Sequence, residues 1–158
     1  MTSVDLKALE RKKRASVGQL LFKCARLLNE RAIDRVNRQV GQPVLRASHT
    51  NLFPHIDFEG VRLTELAQRL GITKQAVGQV VAELEEMGVV ELRPDPSDGR
   101  AKLVRFTAKG AKGIEHGLSV LAELETELAS KIGKRHMRAL HQALLAAEAV
   151  LLEADETT

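Results

Sequence analysis

The stretch TELAQRLGITKQAVGQVVAELEEMG, residues 64 to 88, leaves a chain little freedom in how it folds. Leu66, Ala67 and Leu70 recur at helical spacing, so they share one face of a short helix that Gly71 ends. Thr73 is placed to cap a second helix. That helix has Val77, Val80, Val81 and Leu84 on its buried face and Gly88 as its left-handed stop. Helix, short glycine turn, helix is the signature of a helix-turn-helix.

The other side of the second helix carries different chemistry. Gln75, Gly78, Gln79 and Ala82 follow the i, i+3, i+4, i+7 pattern of a single face, and Lys74 joins Gln75 in the first turn. Gln can pair with adenine through two hydrogen bonds, Lys can reach guanine or a phosphate, and Ala can touch a thymine methyl. Gly78 inside a helix costs about 1 kcal/mol against Ala. Close approach to a groove wall would account for it. The alternative is a small, uncharged face packed on a neighbouring protein.

Beyond Gly88, VVELR (89 to 93) and AKLVRF (101 to 106) are strand-like runs joined by Pro94 to Arg100. Pro94, Pro96 and Asp98-Gly99 form a turn-rich tip, and Val61 to Leu63 supplies a candidate third strand. Asp98 stands two residues before Arg100, where its carboxylate is placed to hold the guanidinium in one orientation. With Arg93 and Lys102 nearby, such a tip suits a minor groove or a pair of phosphates. The bland alternative is a solvated turn with an incidental ion pair.

Helix formers dominate the flanks, and aromatics are only 3% of a chain with neither Trp nor Tyr, which predicts an aliphatic, mainly helical protein. Ser16 and Gln19 fit a capping box that opens a long helix. Its apolar stripe runs through Val17, Leu20, Leu21, Cys24, Leu27, Leu28, Ile33 and Val36 to about Val40, where Gly41 and Pro43 stop it. A helix of about 24 residues is about 36 Å long. That exceeds the needs of a small domain, so part of the stripe is expected to be covered by another chain. Residues 44 to 58 hold a shorter helix capped by Ser48 and bent or ended near Pro54, and Thr64 is a cap candidate for the helix-turn-helix. From Thr107, another cap candidate, two more helical patterns follow with Gly133 as the break between them. The Arg11 to Arg14 run is read as a solvated tail, with contact to phosphate as the alternative.

Residues 63 to 110 resemble the MarR family of winged helix-turn-helix regulators. The likeness rests on the helix-turn-helix, on the Asp-Gly-Arg tip at 98 to 100, and on Phe106-Thr107 with Gly110 opening the next helix. LRASHTNLFPHID, residues 45 to 57, resembles the segment preceding the motif in one branch of the family. The resemblance implies a homodimer whose N- and C-terminal helices intertwine. It also implies a recognition helix from Thr73 in the major groove of double-stranded DNA and a wing in the minor groove. Two-fold symmetry would then give a pseudo-palindromic site with half-sites about 34 Å apart. Family members commonly repress a promoter and respond to a small-molecule effector.

The expected fold class is therefore mainly α (α+β), a winged helix-turn-helix with long N- and C-terminal dimerisation helices. Its parts are residues 1–42 (tail and dimerisation helix), 43–107 (DNA-binding lobe, with the wing at 89–106) and 108–158 (C-terminal dimerisation helices). The expected DNA-binding residues are Arg62, Thr73, Lys74, Gln75, Gly78, Gln79, Arg93, Asp98, Arg100 and Lys102. Phe22, Cys24, His49, Phe53 and His55 are the candidates for an effector site, each also readable as ordinary core or surface. Cys24 lies on an apolar face and lacks the tyrosines that support the cysteine of peroxide-sensing relatives, so inert core is its plainer reading. A single cysteine, a charged N-terminus and no membrane-length apolar run suit a soluble cytoplasmic protein. No nucleophile–base pair, phosphate loop or metal cluster is evident, so neither enzymatic activity nor a cofactor is expected. The competing readings are a winged-helix module for protein–protein contacts and a redox-responsive regulator using Cys24.

Overall fold

The computed structural model describes residues 5–41 and 44–155. The chain divides into two compact units, Met1–Gly117 and Leu118–Thr158. The stretch expected to be a solvated tail is instead helix α1 (Leu6–Ala15). Asp5 caps it, Oδ1 accepting from the Lys7 and Ala8 amides at 2.9 and 3.1 Å. Lys12, Lys13 and Arg14 occupy the last turn, where the helix dipole favours cations. No α1 residue is buried.

Ser16 ends α1 and caps α2 (Val17–Val40), its Oγ accepting from the Gln19 amide at 3.3 Å. Gly41 stops α2 in the left-handed conformation at φ 79°; Pro43, the second expected stop, lies outside the described residues. Of the α2 stripe only Val36 is buried, while Val17, Leu20, Leu21 and Leu27 stay exposed. At the far end Asn37 clamps the chain as it leaves α2. Its Oδ1 accepts from the Val44 and Leu45 amides and its Nδ2 donates to the Leu45 carbonyl.

Helix α3 (Ala47–Thr50) is a single turn preceded by Arg46; Ser48, the expected cap, lies inside it. The cap function falls to His49, whose Nδ1 accepts from the Arg46 amide at 3.3 Å. A 3₁₀ turn (Phe53–His55) with Pro54 in its first positions follows. Strand β1 (Val61–Arg62) leads directly into α4 (Leu63–Leu70), so Thr64 is a helical residue rather than the cap. Arg69 on α4 fixes the preceding loop, donating to the His55 carbonyl at 3.0 Å and pairing with Asp57 at 2.9 Å and Glu65 at 2.6 Å.

After Gly71 (φ 63°) comes α5 (Lys74–Glu86), capped by Thr73, whose Oγ1 accepts from the Ala76 amide at 3.1 Å. Its C-terminus is a Schellman motif: the Val89 amide donates to the Leu84 carbonyl and the Gly88 amide to Glu85, with Gly88 at φ 71°. Strands β2 (Val90–Asp95) and β3 (Asp98–Phe106) form the wing, and the antiparallel sheet has the order β1-β3-β2. Val61 pairs with Val104, and Leu92 faces Val104 from the other side.

Leu52, Ile56, Val61, Leu66, Val77, Val81, Leu84, Val90 and Val104 form one aliphatic core beneath the helix-turn-helix and sheet. Phe53 and Phe58 flank Phe106 at its edge, both with ring centroids 6.0 Å away.

Helix α6 (Ala108–Ile132) starts at Thr107, which works twice. Its Oγ1 accepts from the Gly110 amide at 2.9 Å and donates to the Gly88 carbonyl at 2.6 Å. Lys109 reaches back to the Met87 carbonyl at 2.7 Å. The start of α6 is thereby stitched to the end of α5. Gly133 (φ 95°) breaks the chain before α7 (Lys134–Asp155). In the second unit Val120 and Leu124 are buried. Leu118, Leu128 and Ile132 of the expected stripe remain exposed, as do Leu140, Leu144 and Leu151. Among the described residues no helix is long and apolar enough to cross a membrane.

Candidate nucleic-acid interface

Two surfaces of the first unit carry the residues singled out in the sequence. On α5, Lys74, Gln75, Gln79 and Ala82 are exposed on the side opposite Val77, Val81 and Leu84. Among the described residues the side chains of Lys74, Gln75 and Gln79 make no hydrogen bond or ion pair, so their donors and acceptors face solvent. Thr73 differs, because its hydroxyl is engaged in the cap. Gly78 lies between the two glutamines. A methyl group built there would meet only Leu63 Cδ2, at 3.8 Å, so nothing in this chain demands the glycine.

The wing departs from expectation in its turn. Its tip is the Pro96-Ser97 pair between Asp95 and Asp98, which face each other across the hairpin; Gly99 and Arg100 belong to β3. Asp98 does not grip the Arg100 guanidinium. Its Oδ1 accepts from the Arg100 backbone amide at 3.1 Å instead. The short two-residue separation favours that local amide over the long side chain. The Arg100 side chain is thus left exposed, as is that of Lys102.

The two remaining cations have partners within the wing. Arg93 Nε lies 2.9 Å from Glu91 Oε1, a contact that raises the Arg93 pKa and lowers that of Glu91. Arg62, expected as a phosphate anchor, has Nε 2.6 Å and Nη2 2.5 Å from Asp95 Oδ2. Asp95 is buried, and its pKa is pushed down to about 2. The hydroxyl and amide of Ser97 are the main cause, and Arg62 adds to them against the opposing effect of burial. Sequence reading missed Asp95, although Asp-Pro-Ser carries the mark of an aspartate bonding the amide two residues on.

The five effector candidates fall into different settings. Phe22 and Cys24 are exposed on α2, so Cys24 is not core within the single chain. His49 is only 2% exposed and bonded to Glu83. Phe53 packs edge-on against Phe106, and His55 is half-buried above Arg69. A cleft of about 500 Å³ between α1 and α2 holds none of the five; Glu10, Lys13, Arg14, Gln19, Leu20 and Lys23 line it. Among the described residues no three His, Cys, Asp or Glu side chains are grouped to hold a metal ion.

In sequence, residues 55–101 match the profile of the MarR family, while no curated protein matches the chain. Several solved structures share its fold. The reduced form of MarR from E. coli superposes with a TM-score of 0.68 at 21% identity, over 84% of this chain and 96% of that one. BldR, a transcriptional regulator from Sulfolobus solfataricus, gives 0.63 at 22% identity over 97% and 99%. The transcriptional repressor CouR, bound to a 23-mer DNA duplex, gives 0.61 at 20% identity over 94% and 99%. The helix-turn-helix and most of the wing thus lie within the segment that matches the MarR family, and the fold is similar to that of MarR and other regulators along most of the chain's length.

Proposed function

We propose that the chain is a non-enzymatic, sequence-specific DNA-binding transcriptional regulator that acts as a homodimer. The observation that carries this reading is the pairing of two exposed, unsatisfied surfaces in one compact unit. These are the Lys74, Gln75 and Gln79 face of α5 and the Arg100 and Lys102 side chains of the wing. Amide side chains on an exposed helix face are suited to base edges in a major groove, and a free arginine on a hairpin suits a narrow minor groove. Both groups keep their hydrogen-bonding capacity for a partner. CouR, a repressor of the same fold, binds a DNA duplex, which favours repression as the outcome.

The exposed apolar residues of α2, α6 and α7 support the dimer. Val17, Leu20, Leu118, Leu144 and Leu151 would each lose contact with water beneath a second copy. A symmetric dimer presents two wings and two α5 helices to a pseudo-palindromic site. A small ligand that changes their separation would weaken binding.

The test is fluorescence anisotropy with DNA from upstream of the chain's own gene and with scrambled DNA, across a salt series. Wild type and Arg100→Ala are run side by side, with light scattering to give the mass in solution. Selective binding that falls steeply with salt and is weakened by Arg100→Ala supports the reading. Equal, weak binding to both DNAs at low salt overturns it in favour of a protein-interaction module.

A further inference from the structure

Arg62 and Asp95 are 33 residues apart, yet one carboxylate joins them. Arg62 ends β1 and stands immediately before α4; Asp95 ends β2 at the wing turn. The two strands flank β3 on opposite sides, so the arginine reaches across β3 to the turn. Both Nε and Nη2 approach Asp95 Oδ2, and Nη2 also donates to Ser97 Oγ at 3.2 Å. The other carboxylate oxygen accepts from the Ser97 amide at 2.8 Å and from its hydroxyl at 2.7 Å. Both oxygens are therefore engaged, and the Asp95 side chain is 7% exposed.

A charge so enclosed is costly to leave unpaired, and a two-stranded hairpin is marginal by itself. The ladder is also irregular at Pro94/Asp95, where the turn would otherwise be free to swing. We propose that Arg62 is a positioning residue for the wing. It fixes the turn against the start of the helix-turn-helix so that Arg100 and the α5 face reach DNA together, and its own charge is not a phosphate ligand. This assignment rests on the DNA-binding reading above.

Asp95→Asn gives a test that turns on sign. It removes a negative charge beside the surface that meets phosphate, so electrostatics alone would tighten DNA binding. The positioning role demands the opposite: Asp95→Asn and Arg62→Ala each weaken operator binding by about tenfold. In an Arg100→Ala background Arg62→Ala then costs less than about twofold, because the aim of the wing no longer matters. Arg62→Lys keeps the charge but not the fork and recovers only part of the loss. A phosphate ligand would behave otherwise, with Asp95→Asn binding tighter and Arg62→Ala costing the same in both backgrounds. That result overturns the proposal.

A second readout needs no DNA. Hydrogen exchange at the Ser97 and Arg100 amides should accelerate by about tenfold in Arg62→Ala and Asp95→Asn while the α5 amides stay protected. Unchanged wing exchange removes the clamp even where wild type binds DNA. Accelerated exchange in a chain that binds no DNA leaves the clamp standing and removes the DNA-binding reading.

Discussion

His49 Nε2 lies 2.9 Å from Glu83 Oε2, joining the single turn of α3 to the middle of α5. With Nδ1 accepting from the Arg46 amide, Nε2 is the ring nitrogen that donates to Glu83. The Arg46 guanidinium meets the same Glu83 oxygen. His49 is thus a saturated polar group inside the lobe and holds the helix that presents Gln75 and Gln79. His49→Ala should cost about 2–4 kcal/mol, from the lost hydrogen bond and the space it opens, measured by urea unfolding. A loss within the error of the melt would mean that the contact carries nothing.

The same pair sets a pH dependence. Glu83 has its pKa lowered, chiefly by His49 and then by Arg46. A depressed carboxylate stabilises the fold above its ordinary value near 4.5 and loses that contribution as pH falls through the folded value. Wild type should therefore exceed Glu83→Gln in stability at neutral pH, and the gap should close in acid. A gap that widens below pH 4.5 would contradict the ion-pair geometry.

Gly78→Ala separates folding from binding. The nearest neighbour leaves room for a methyl, so the helix should gain about 0.5–1 kcal/mol. If α5 lies close against a groove wall, the same methyl should weaken operator binding. A variant both more stable and equally tight would show that the glycine has no part in recognition.

Much of this architecture is written locally. The bounds of α2 follow from Ser16 and Gly41, and those of α5 from Thr73 and Gly88, because a cap and a left-handed stop act within a few residues. Helix α1 was hidden because Leu6 and Leu9 are its only large apolar residues, set among Lys7, Glu10 and the Arg11 to Arg14 run. The wing strands were legible, but the turn was not. Asp98 lay nearest Arg100 in sequence, whereas the buried carboxylate is Asp95, whose arginine comes from a distant strand. The exposed faces of α5 could be read from spacing. Which cations remain free there depends on pairings such as Arg62 with Asp95, and no local pattern announces that one.

Gly110 and Gly113 sit one helical turn apart on α6 and should respond oppositely to alanine. A methyl at Gly110 would fall 1.9 Å from the Val89 carbonyl oxygen, where backbone must move. Gly110→Ala should destabilise the lobe by about 3 kcal/mol and loosen the joint between α5 and α6 made by Thr107 and Lys109. At Gly113 nothing lies within 4 Å, so Gly113→Ala should stabilise the chain by about 0.5–1 kcal/mol through helix propensity. Any effect it has on the mass in solution would locate that face against a second copy. Equal destabilisation by the two substitutions would refute the close approach at Val89.

The wing should resist acid further than an ordinary ion pair. Asp95 is held at a pKa of about 2, against an ordinary 3.8, by the hydroxyl and amide of Ser97 and by Arg62. Because the folded value is depressed, the stability it confers is present above 3.8 and disappears only as pH falls through about 2. A carbon-13 titration of the Asp95 carboxyl should therefore show no inflection between pH 7 and the ordinary aspartate range. Arg62→Ala should move the midpoint upward, though not all the way, because Ser97 supplies the larger share. A wild-type midpoint at 3.8 would mean that the carboxylate is solvated and the turn is not clamped.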